Sequence, residues 1–92
     1  MLNSTTEPVE DVEIDLEKLL SSRLVVYNDD HNSFVHVIRT FMQVLKHSVQ
    51  QAEQCAWIIH HKGKCSVKEG SIDELKPYRD AITENGIDAR IE

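Results

Sequence analysis

Asn28, Asp29 and Asp30 stand in a row after the apolar run Leu24, Val25 and Val26 and the Tyr27 that follows it, and a later stretch, IIHHKGK, carries His60 and His61. Amide and carboxylate oxygens accept hydrogen bonds, and a neutral imidazole accepts through one ring nitrogen. If the two segments meet, they offer several acceptors beside apolar side chains. That set suits an ammonium group, which has three donors, and capture of a free N-terminal amine is a recurring mode of peptide recognition. Acid would weaken such a site, because a protonated imidazole no longer accepts. The same residues also have a plainer reading. Asn and Asp between a strand and a helix are common turn formers and caps, and histidines near a helix C-terminus complement its dipole.

Other chemistries fit less well. Asp29, Asp30, His31, His60, His61 and Cys65 are raw material for a metal site, but they lack the short ligand spacing of zinc sites and the glycine and terminal Glu of a calcium loop. No Ser, Cys or Asp-His pair sits in a recognisable nucleophile context, so a hydrolase is disfavoured. Trp57 falls one residue out of phase with its helix's apolar stripe, which suits a partial cover over a neighbouring element better than a docking anchor.

The elements that position these residues are legible from periodicity and caps. RLVVY groups β-branched residues in a short run ended by Asn and Asp, the mark of a first strand. Phe34, Val37, Ile38, Phe41, Met42 and Leu45 then recur at helical spacing after a cap at Asn32 or Ser33. Ser48 with Gln51 resembles a capping box opening a second helix. In it Ala52, Cys55, Ala56 and Ile59 share a side, and Gly63 ends it. KCSV reads as a second strand. Ser71 and Glu74 open a third helix with Leu75, Tyr78 and Ile82 on its inner face; Pro77 should kink that helix or mark its proper start. Asn85-Gly86 closes it, and IDARI alternates as a last strand. The order β-α-α-β-α-β predicts a small α+β sandwich, three antiparallel strands with three helices on one face.

The chain has 92 residues, enough for one domain with a modest core. Its net charge is −6, most of it from Glu7, Glu10, Asp11, Glu13, Asp15 and Glu17 against Lys18 alone. Residues 1–22 therefore read as a flexible acidic extension, within which IDLEKLL could form a transient helical turn, and residues 23–92 as the folded domain. No basic patch suits a phosphate backbone, and no apolar run approaches the roughly 20 residues a membrane span needs. No secretory signal is recognisable, so a cytoplasmic protein is expected. Cys55 and Cys65 form neither a CxxC pair nor a disulfide framework and are read as reduced, Cys55 in the core.

LVVYNDDHNSFVHVIRTF together with AEQCAWIIHHKGKC resembles the ClpS family of adaptor proteins, which hand N-degron substrates to the AAA+ chaperone-protease Clp. The resemblance runs from about Arg23 to the end of the chain, in one register from the Asn-Asp-Asp turn to Lys64. It implies the same β-α-α-β-α-β unit, similar to the C-terminal domain of the ribosomal stalk protein. It further implies that Asn28, Asp30 and His60, with Asp29 close by, hold the α-amino group of a substrate's first residue. Tyr27, Asn32, Phe34, Val37, Ala56, Ile59 and Ile87 would wall a pocket for its Leu, Phe, Tyr or Trp side chain. Phe34 and Ala56 stand where the family has methionines, one filling space and the other opening it. The segment after Lys64 is shorter than in relatives, and their Glu-Thr-Lys docking segment has no matching form here.

The expectation is a monomeric, non-enzymatic adaptor without cofactor or metal, partnered by N-degron proteins and the N-terminal domain of a Clp chaperone, with no nucleic acid or membrane. The alternative is a small interaction domain that docks on ribosomal or translation partners without reading N-termini.

Overall fold

A computed structural model of the chain describes residues 21–92, so residues 1–20 of the expected acidic extension lie outside the described residues. The elements are β1 (Ser22–Tyr27), α1 (Phe34–Val44), α2 (Val49–Lys62), β2 (Lys64–Gly70), α3 (Ile72–Glu84) and β3 (Ala89–Ile91). The element order is the expected one. β1 lies at the centre of the sheet, antiparallel to both neighbours in the order β2-β1-β3.

Period-two alternation sorts β1 between two environments. Leu24 and Val26 are buried in the core under the helices, whereas Arg23, Val25 and Tyr27 belong to the opposite face. β1 begins at Ser22 rather than Arg23, and β2 runs well past KCSV to Gly70. A shift of register at Leu24/Val25 accommodates this length: Leu24 pairs with Lys68 but Val25 with Ser66. Val67 is the extra residue of the resulting bulge and packs against the core.

Each helix starts on a serine. Ser33 rather than Asn32 caps α1, its hydroxyl accepting from the His36 N–H at 3.0 Å. Ser48 accepts from the Gln51 N–H at 3.1 Å, but the return bond of a capping box is not made. At α3 the box is complete, with Glu74 N–H donating to the Ser71 hydroxyl at 3.1 Å and Ser71 N–H to the Glu74 carboxylate at 2.9 Å. These bonds hold the Glu74 carboxyl below the usual carboxylate range.

α3 starts at Ser71 and carries Pro77 inside an unbroken helix. The proline removes only the bond to the Asp73 carbonyl, in the first turn, where the capping box already fixes the backbone. Leu75 and Ile82, both 0% exposed, anchor the helix on either side of it. α2 and α3 lie against the sheet and α1 closes over both, with the fully buried Phe41 meeting Leu24, Val26, Leu75 and Ile82 in one cluster. Each such side chain contributes about 1.5–3 kcal/mol of burial. Cys55 and Cys65 are free thiols, half-buried at the margin of this core, and burial with Cys65 beside it pushes the Cys55 thiol up to about 11.

Candidate functional site

The loop after β1 and the end of α2 are brought together by the sheet itself. Tyr27 pairs with Lys64, and the next backbone N–H, that of Asn28, donates to the Gly63 carbonyl at 2.9 Å. Gly63 caps α2 with φ of 94°, a left-handed turn that lets the chain pass straight from helix into β2. His60 lies less than one turn before that glycine, and so beside Asn28.

Between them is a hollow of about 360 Å³ lined by Asn28, Asp29, Asp30, Asn32, Phe34, Val37, Ala56, Ile59 and His60. It lies at the small end of the range for ligand sites, enough for one large side chain with the backbone next to it. Ala56 and Ile59 are buried, Val37 is half-buried, and Phe34 stands at the mouth, 44% exposed. An annex of about 30 Å³ adjoins it, bounded by Val26, Tyr27 and Ile87 together with residues of the main hollow.

Within the loop, two residues hold the structure and others stay free. Asp29 accepts from the backbone N–H groups of His31 (3.0 Å) and Asn32 (2.8 Å) and from the Asn32 amide at 2.7 Å. Burial pushes its carboxyl up, but the bonds from Asn32 and His31 outweigh this and hold it below the usual carboxylate range. Asn32 also donates to the Gly86 carbonyl at 2.8 Å, pinning the loop to the turn after α3. His36 bonds the Asn85 carbonyl of the same turn at 2.8 Å. By contrast, the side chains of Asn28 and His60 make no hydrogen bond among the described residues. Asp30 is fully exposed, with only His31 Nδ1 near, at 3.9 Å. The polar atoms left open are thus an amide, a carboxylate and an imidazole around one apolar hollow.

Of the expected pocket residues, Ile87 and Tyr27 line only the annex and not the main hollow, and Tyr27 has partners elsewhere. Its hydroxyl donates to the Glu92 carboxylate, and its ring lies under the Arg90 guanidinium at 4.7 Å. It touches the annex but not the main hollow, and the bond to Glu92, with burial behind it, raises its phenol. Strand parity carries the signal: Leu24 and Val26 face the core, so Tyr27 faces the other way. The turn-forming reading of these residues holds for Asp29, which the sequence does not single out from its neighbours, although an Asp followed three residues later by Asn is the spacing of a side-chain-braced turn. Among the described residues no group of three or more His, Cys, Asp or Glu is placed to share a metal ion, and no helix is long and apolar enough to cross a membrane.

Fold and site together define a small α+β recognition domain, with open polar atoms on the rim of an apolar hollow. The family model for the ATP-dependent Clp protease adaptor protein ClpS matches residues 20–89, and the chain belongs to that family. It is 34% identical over 79 residues to the ATP-dependent Clp protease adapter protein ClpS of Shewanella pealeana, a match covering 79% of this chain and 78% of that one. It is similar in fold to Agrobacterium tumefaciens ClpS2, solved bound to L-phenylalaninamide. That likeness has a TM-score of 0.68 and 19% identity, covering 78% of this chain and 94% of the other. The expected family and fold class are both borne out.

Proposed function

We propose that this Clp protease adaptor reads N-degrons: it binds proteins whose first residue is Leu, Phe, Tyr or Trp and delivers them to a Clp AAA+ chaperone. The observation that carries the reading is the set of unengaged groups, Asn28, Asp30 and His60, around the hollow of Phe34, Val37, Ala56 and Ile59. An α-ammonium would donate to the three polar groups while its side chain fills the cavity. Burying a Leu or Phe side chain contributes about 1.5–3 kcal/mol, and each charge-assisted hydrogen bond a similar amount. Neither alone selects a terminus; joined, they do. The phenylalaninamide held by the Agrobacterium neighbour has both parts, a free amine and a benzyl side chain, which supports the same division of labour here.

Asp29 and Asn32 position the loop in this scheme, and His60 must be neutral to accept. The protein acts in the cytoplasm as a monomer, without catalysis or cofactor, and the N-terminal domain of the chaperone is its partner. Residues 1–22 serve delivery rather than binding. Peptides identical except for the first residue test the reading, with and without N-terminal acetylation. Leu- and Phe-first peptides should bind and their acetylated forms should not. Equal binding of free and acetylated peptides would exclude amine recognition and favour a domain that docks without reading termini. Deleting residues 1–20 should leave peptide affinity unchanged and stop degradation of an N-degron substrate by a Clp chaperone and protease; undiminished degradation would remove the extension from the mechanism.

A further inference from the structure

Trp57 is 53% exposed, yet it is not a loose surface ring. His61, one turn on, packs against it at a tilt of 38° with ring centroids 4.0 Å apart, and His60 meets His61 edge-on at 5.0 Å. The three rings form a continuous ridge that ends on the imidazole assigned above to the amine. On a helix turning about 100° per residue, Trp57 lies about 60° from His60 and Glu53 about 20°. Both face the strip of α2 that leads away from the hollow, and both are exposed. Trp57 sits about 4.5 Å along the axis from His60, and Glu53 about 6 Å further. A ligand's second Cα lies about 3.8 Å from its first, so a long second side chain reaches this strip once the amine is held at His60.

An indole face held in place by a neighbouring ring, with a carboxylate one turn away, favours a planar cation. Guanidinium stacks on aromatic rings and pairs with carboxylates in the same plane, which an ammonium does less well. We propose that Trp57 and Glu53 form a subsite for the residue after the N-terminal one, selective for arginine at that position. The subsite rests on the reading given under Proposed function and adds a second determinant to it. Its contribution is that of an exposed cation–π contact, about two- to fivefold in affinity, with a further gain from Glu53 that salt erodes.

The test uses the full-length chain and peptides beginning Leu-Arg or Leu-Ala, with Ala-Arg and acetylated Leu-Arg as controls. Leu-Arg should bind about two- to fivefold more tightly than Leu-Ala. In Trp57→Ala that ratio should fall to near one while Leu-Ala affinity stays as it was, and Trp57→Phe should restore part of the ratio. Glu53→Gln should lower it and remove its salt dependence. A ratio near one in the unaltered protein, or one that survives Trp57→Ala, overturns the subsite. So does loss of Leu-Ala binding in Trp57→Ala, since the ring would then serve the first residue. If the controls bind as well as Leu-Arg, the amine reading itself has failed and the subsite falls with it.

Discussion

Asp29 and Asp30 are adjacent and chemically identical, but their surroundings assign them opposite tasks. Asp29→Ala removes three hydrogen bonds, two of them to the half-buried Asn32, and leaves the Asn32 amide with Gly86 as its remaining acceptor. Bonds to a charged acceptor contribute about 1.5–3 kcal/mol each when sheltered, while water replaces the exposed one to His31; non-additivity brings the sum to about 2–3 kcal/mol. For a domain of this size that is a fall in melting temperature of about 10–20 °C. Asp30 is fully exposed and has no hydrogen bond among the described residues, so Asp30→Ala should change stability by less than about 0.5 kcal/mol. On the proposed reading its effect belongs to binding, where loss of one charge-assisted contact to an ammonium should weaken a Leu-first peptide about tenfold to a hundredfold. Thermal melts and peptide titrations on the two variants separate these effects. Equal melting temperatures for Asp29→Ala and the unaltered protein would refute the reasoning. Undiminished peptide binding by Asp30→Ala would refute it equally.

Val37 contributes to both the core and the hollow, so Val37→Ala should lower stability by about 1 kcal/mol and weaken peptide binding together, read from urea midpoints and titrations. Ala56 is 3% exposed on the cavity wall; Ala56→Met should reduce affinity for Trp- and Tyr-first peptides more than for Leu-first ones, and an unchanged ranking would contradict the proposed role of the cavity in size selection. His47 packs edge-on to Phe41 with its Nδ1 buried and without a partner, and burial, aided by Lys68, holds its imidazole below its usual range despite the opposing influence of the Val67 backbone. A histidine favoured neutral in the fold contributes stability that is present above its unfolded value of about 6.5 and is lost as pH falls through the depressed one. Urea midpoints should therefore fall from pH 7 to 5, and fall less in His47→Leu. The depressed carboxyl of Asp29 adds a second loss in a lower window, below about pH 4, as the pH falls toward its folded value.

The order of elements was legible because each one carries its own punctuation. Serines open all three helices, Gly63 and Asn85-Gly86 end two of them, and the apolar stripes keep helical spacing. Tertiary context decided what the pattern left open. Pro77 looks like a breaker in isolation, but a complete capping box and the buried Leu75 and Ile82 carry the helix through it. The extent of β2 was hidden because the bulge turns the polar Lys68, as well as Val67, to the helix side, where Lys68 lies over the Tyr78 ring, so no apolar residue marks the strand beyond Val67. In the site, residue types and spacing brought the loop and His60 into one account, since both flank a strand pairing. They did not separate Asp29, which braces, from Asp30, which stays open; that depends on the Asn32 bridge to a turn far along the chain. Tyr27 was obscured by Val25, which is also buried and so masks which residues of LVVY share a face.

Among the described residues, a sheet with the order β2-β1-β3 has two outer strands with one side unpaired, and such borders invite chains to add to one another. Here β3 is only three residues long, and β2 is interrupted by its bulge and bears Lys64 and Lys68. Both borders are therefore poor templates for fibril growth. If the protein delivers substrates as proposed, it meets loose extended segments of unfolding polypeptides, and its sheet gives them little to continue from.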